Sequence, residues 1–223
     1  MIKLLSLADF ITIMNAVMGF LAILLVFSNQ FQLAAAFILL GLLADGLDGI
    51  VARRMGNGQM GEYLESIADM VSLSVAPLVL LYKTYYDVVV AQFSLHLLLG
   101  VVLVFSLICS MIRLSSFSLL KEKYSFIGLP TSASAVFLVL TSFLKLDVRV
   151  ILPFIVILAL AMISSIRFPK PGLKMDCVAA VFIVATILLD SMYNNIVPLL
   201  LLAALVFYII IGPFYLRIKK EKS

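Results

Sequence analysis

Residues 45–69 read DGLDGIVARRMGNGQMGEYLESIAD, and this stretch decides the fold. It holds Asp45, Asp48, Glu62, Glu65 and Asp69 out of a total of 12 acidic side chains, yet apolar sequence runs into it from both sides. Charge inside a bilayer is expensive and marks a functional site by default. Asp45, Asp48, Gly49 and Ala52 recur at i, i+3, i+4, i+7, which is one face of one helix. Gly61, Glu65 and Asp69 recur at i, i+4, i+8 and form a stripe on the next helix. The turn between them, Arg54–Met60, contains Gly56, Asn57 and Gly58, so the two helices are expected to run antiparallel with their acidic faces meeting. Four carboxylates facing one another are tolerable only with positive charge among them.

Working outward, the chain of 223 residues is 64% hydrophobic and 13% charged, with a mean hydropathy of +1.22. That composition excludes an ordinary soluble domain. Apolar runs of bilayer-spanning length predict an all-α polytopic membrane protein, a single membrane-embedded domain over 1–223. Eight spans are expected, at about 6–27, 32–53, 61–82, 91–113, 127–144, 149–166, 175–191 and 196–216. A secretory signal is not expected, because the first apolar stretch is too long and carries Asp9 and Asn15.

Placing both termini in the cytoplasm sorts the basic residues cleanly. The inner segments then hold Lys3, Arg53, Arg54, Arg113, Lys121, Lys123, Arg167, Lys170, Lys174, Arg217, Lys219, Lys220 and Lys222. The outer loops hold only Lys83, Lys145 and Arg149. This asymmetry sets the topology and puts the acidic motif on the cytoplasmic face of a multi-pass cell-membrane protein. It also accounts for the net charge of +4, so no nucleic-acid partner is expected. Cys109 and Cys177 lack a C-x-x-C spacing and read as buried apolar residues. His96, near the outer end of the fourth span, reads as interfacial. The last two spans, with no acid between Asp190 and Glu221, read as scaffold or dimerisation surface.

The acids need a chemical account. With Arg53 at headgroup level, Asp45 lies eight residues deeper, about 12 Å down the helix. That depth fits a water-filled notch in which a lipid phosphate would sit. Hard oxygen donors select Mg²⁺, Mn²⁺ or Ca²⁺. Two helices presenting Asp45, Asp48, Glu65 and Asp69 offer ligands for two such ions, an arrangement suited to phosphoryl chemistry. Gly49 would let a substrate approach the backbone, and Arg53 could grip a phosphate with both arms. The plainer reading is solvated helix-end charge, or an Asp48–Arg53 ion pair. It does not explain acids at Asp45 and Asp69 within the spans.

Asp45-x-x-Asp48-Gly49-x-x-Ala52-Arg53 followed by Gly61-x-x-x-Glu65-x-x-x-Asp69 resembles the signature of the CDP-alcohol phosphotransferases. Two departures stand out: seven residues separate Arg53 from Gly61 against the usual eight, and the third acid is Glu65 instead of Asp. Leu7–Asn15 with Gly19 is similar to the family's first-span pattern without its Pro. Ala68–Ser72 with Val75-Ala76-Pro77 resembles the branch of phosphatidylserine and archaetidylserine synthases, as does Arg113–Phe117 with Phe126–Ala133. The resemblance covers residues 6–135.

The resemblance implies a six-helix core with two further C-terminal helices, and a homodimer. It implies two divalent cations, Mg²⁺ or Mn²⁺, held by Asp45, Asp48, Glu65 and Asp69, with Asp69 also the general base. Gly49 and Arg53 would contact the CDP moiety, with Ala52 and Thr12 as further substrate-binding candidates from their motif positions. Arg113 would receive the serine carboxylate or a phosphate, or else serve as a snorkelling anchor. The implied reaction transfers a diacylglycerol- or archaeol-phosphate group from a CDP-activated lipid to L-serine and releases CMP. Inositol phosphate or glycerol phosphate as acceptor stays open, given Lys121, Lys123, Lys170 and Lys174. So do a cation transporter using the intramembrane carboxylates and a scaffold that has lost activity.

Overall fold

The computed structural model describes residues 5–55, 60–116, 119, 125–170, 173–189 and 195–221. The described chain forms helices α1 (Leu7–Phe27), α2 (Phe31–Met55), α3 (Gly61–Val90), α4 (Phe93–Ser116), α5 (Thr131–Phe143), α6 (Val148–Ile163), α7 (Leu173–Leu189) and α8 (Ile196–Glu221). Two short strands, β1 (Ser125–Ile127) and β2 (Arg167–Pro169), accompany them. The chain is therefore an all-α polytopic membrane protein. Helices α1 to α4 and α8 are long and apolar enough to cross a bilayer, while α5, α6 and α7 are shorter apolar helices.

Local chemistry sets the helix ends. Ser6 caps α1: its Oγ accepts from the Asp9 N–H at 3.3 Å while Asp9 Oδ2 accepts from the Ser6 N–H at 2.7 Å. This capping box gives buried Asp9 a structural role at the start of α1. Asn29, at φ 58°, ends α1 in the left-handed conformation, and the Gln30 N–H returns to the Leu25 carbonyl at 2.9 Å.

Three of the boundaries that shift have a visible local cause or consequence. The third helix continues to Val90 instead of about residue 82, so Lys83 is helical and not in a loop; its Nζ sits 5.2 Å from the centre of the Tyr86 ring. A helix of 30 residues is about 45 Å long, longer than a hydrocarbon core of about 30 Å. The fifth helix starts at Thr131, not 127, because Pro130 is extended and Gly128 has φ +78°. A Cβ on Gly128 would lie 2.3 Å from the Met162 carbonyl oxygen, so only glycine fits. The residues before it form β1, which pairs antiparallel with β2, Phe126 opposite Phe168. That pairing is also why the sixth helix stops at Ile163 and not 166.

Both faces of these helices are apolar, so burial is sorted by packing. On α4, Val101, Val104, Ile108 and Met111 point outward, whereas Ser106, Cys109, Ser110 and Arg113 point inward. The short α5 is the central helix, buried at all positions except Ser132 and Phe143. Around it, α1 lies along α2 and the first half of α3, and α4 packs on α6. Tyr85 ties α3 to the α5–α6 turn, donating to the carbonyls of Thr141 at 3.1 Å and Leu146 at 2.6 Å. Cys109 is buried as expected, but Cys177 is exposed on α7 and not in the core. His96 meets the Tyr82 hydroxyl at 2.9 Å, one turn into α4.

Candidate active site

The site is assembled by the first three helices. On α1, Thr12 and Asn15 are three residues apart and share a face, and each engages a different acidic helix. Thr12 Oγ1 donates to Asp48 Oδ2 on α2 at 2.5 Å. Asn15 Nδ2 donates to Asp69 Oδ1 on α3 at 3.0 Å. All four residues are buried, with Asn15 at 0% and Asp69 at 9% exposure. The carboxyl groups of Asp45, Glu65 and Asp69 lie within electrostatic reach of one another, Glu65 half-buried one turn before Asp69. The acidic faces of the two helices thus meet, as their spacing requires.

The backbone helps to aim Asp69. Directly after it, Met70–Val75 form a π-helical turn. Pro77 has no N–H to return to the preceding turn, and the Ala76 N–H reaches back to the Val71 carbonyl instead. The wide turn lets Asp69 face α1 and α2 while Leu73, Ala76, Leu80 and Leu81 beyond it face the core. Gly19 on α1 makes this contact possible. A Cβ there would lie 2.4 Å from Ser72 Cα, so α1 and the π turn touch backbone to backbone.

Of the other expected site residues, Gly49 faces open space, with no atom within 4 Å of where a Cβ would stand. Packing therefore does not require glycine there, which leaves room for a ligand against the backbone. Ala52 is half-buried near the end of α2. The Arg53 side chain and the turn at 56–59 lie outside the described residues. Arg113 is buried, and its Nε donates to the Leu129 carbonyl at 3.3 Å, on the connector leading into α5. It is an interior cation and not a snorkelling anchor.

Among the described residues no three His, Cys, Asp or Glu side chains converge in ligating geometry. The donor chemistry nonetheless fits hard divalent cations, since the meeting groups are carboxylate oxygens on two facing helices. Residue-by-residue reading assigned no role to Asn15, although it sits in the quoted first-span segment. A lone amide in an apolar helix gives no sign of its partner 54 residues away. Pro77 was the one signal in the sequence for the irregular turn.

A profile of the CDP-alcohol phosphatidyltransferase family matches residues 5–211. The chain belongs to that family. The match runs from the start of α1 into α8, so in this CDP-alcohol phosphatidyltransferase the family likeness takes in the two C-terminal helices as well. The chain is 38% identical to a CDP-diacylglycerol–serine O-phosphatidyltransferase of Methanocaldococcus jannaschii, over 75% of this chain and 76% of that one. It is 34% identical to an archaetidylserine synthase of Methanothermobacter thermautotrophicus, over 74% and 70%. A CDP-diacylglycerol–serine O-phosphatidyltransferase of Bacillus subtilis is 35% identical, over 71% and 87%.

Proposed function

We propose that this enzyme transfers a diacylglycerol- or archaeol-phosphate group from a CDP-activated lipid to the hydroxyl of L-serine, releasing CMP. The observation that carries the reading is that α1 seats an acid of each neighbouring helix, Asp48 of α2 through Thr12 and Asp69 of α3 through Asn15, in a chain whose relatives bear the names of serine transferases. Asp45, Asp48, Glu65 and Asp69 would hold two divalent cations, Mg²⁺ or Mn²⁺. Bound there, such ions neutralise phosphate oxygens and steady the attacking and leaving oxygens.

The chain's own groups do the rest. Asp69 accepts the proton of the serine hydroxyl as that oxygen bonds to the lipid-bearing phosphorus, and the bond from phosphorus to the CMP oxygen breaks. A carboxylate is a weak base for an alcohol, so alignment of the three atoms supplies much of the rate. The open space beside Gly49 would receive the CDP moiety, with Thr12, Ala52 and Arg53 assigned to bind it by their motif positions, and Arg113 would receive the acceptor carboxylate or a phosphate. The distribution of basic residues supports a cell-membrane site opening to the cytoplasm. A homodimer would bury part of the apolar surface of α7 and α8.

An acceptor panel tests the reading. Purified enzyme with CDP-diacylglycerol or CDP-archaeol is expected to release CMP with serine, and little with inositol phosphate or glycerol phosphate. Preference for either phosphate would move the enzyme to another branch of the family. Cation transport without CMP release would remove the transferase reading.

A further inference from the structure

We propose that Asn15 is the positioning residue of the reaction: its side-chain amide fixes the orientation of the Asp69 carboxylate. The inference rests on the proposed role of Asp69 as base. Three observations carry it. Asn15 is at 0% exposure, so its amide is fully removed from solvent. Its Nδ2 donates to Asp69 Oδ1 at 3.0 Å. Its Oδ1 has no hydrogen-bond partner.

That third fact is the informative one. Swapping the oxygen and nitrogen would set a carbonyl oxygen against a carboxylate oxygen, so the Asp69 contact dictates the amide's orientation. The unpartnered Oδ1 lies against α2, where a Cβ on Gly41 would be only 3.0 Å away, with the Met18 side chain close by. A buried acceptor without a partner is unfavourable, and leucine, branched at the same atom, would present the same shape without it. The amide is accounted for by what its donor does. Together with Thr12 on Asp48, it makes α1 a jig that seats one acid of each helix.

The test uses the full-length enzyme in CMP release from CDP-diacylglycerol and serine, read as kcat and KM separately, alongside thermal unfolding. Asn15→Leu is expected to lower kcat about 100-fold, the scale of a small misplacement of a reacting group. KM for both substrates should stay within about twofold, with Tm unchanged or higher because the orphaned acceptor is gone. Asn15→Asp, which keeps the size but as a carboxylate has no N–H to donate, should be at least as slow. Gly41→Ala touches no acid but crowds Oδ1, and should lower kcat several-fold in the native background and not at all beside Asn15→Ala.

Asn15→Leu with more than half the native kcat would overturn the inference. So would parallel loss of kcat and Tm, or an equal cost of Gly41→Ala in both backgrounds. An inactive native enzyme with every acceptor would instead sink the proposed reaction, and this inference with it.

Discussion

Helices α1 and α8 are both long, apolar and able to span a bilayer, yet they are built for different ends. α1 buries Thr12 and Asn15, which bond to buried Asp48 on α2 and buried Asp69 on α3. In the described parts of α7 and α8 the only buried polar side chain is Thr186, whose hydroxyl returns to its own helix at the Phe182 carbonyl, 2.8 Å away. Hydropathy alone does not separate the two regions. What separates them is whether buried polar groups are spent within one helix or used to join several. Only the joined ones can hold charge in place inside a membrane.

The predictions probe that contrast, from the largest effect down. Asp69→Asn should cut turnover by about 10³-fold or more, the range for losing a general base, while CDP-lipid binding persists; full turnover would remove the base assignment. Asp45→Ala should lose both Mn²⁺ binding and activity, and binding that survives unchanged would argue against a metal site at these acids. Gly19→Ala forces a side chain into the backbone of the π turn. It should cost about 1–3 kcal/mol of stability, as overpacking does, seen as a lower Tm with reduced turnover. Glu65→Asp shortens one carboxylate stem and should leave activity within a few-fold or raise it. At the other pole, Phe207→Leu on the exposed face of α8 should change stability by no more than about 0.5 kcal/mol. A large loss of turnover there would mean that α8 does more than meet lipid or a second copy.

Much of this was legible before any coordinates. Periodicity alone put Asp45 with Asp48, and Glu65 with Asp69, on faces that then met. The spans were readable because apolar length is a strong signal in a bilayer. The β1–β2 pair was not, because three-residue strands such as Ser125–Ile127 and Arg167–Pro169 are too short to show a period. Nor was the π turn, since Pro77 announces a disturbance but not its form. Asn15 and Gly19 were quoted as letters of a pattern and became physical parts only once Asp69 and Ser72 were placed against them. Cys177 differs from its expected burial for a related reason: apolar sequence does not tell a core-facing thiol from an exposed one.

The central claim is that the acids joined by α1 form a metal-dependent phosphatidyl-transfer site with serine as acceptor. It is tested most directly by CMP release from a CDP-activated lipid by the purified full-length enzyme, measured with and without serine, before and after chelation. The account predicts CMP only when serine and Mg²⁺ or Mn²⁺ are both present, restored when the metal is returned. CMP release that ignores chelation, or none with serine under any metal, would contradict it.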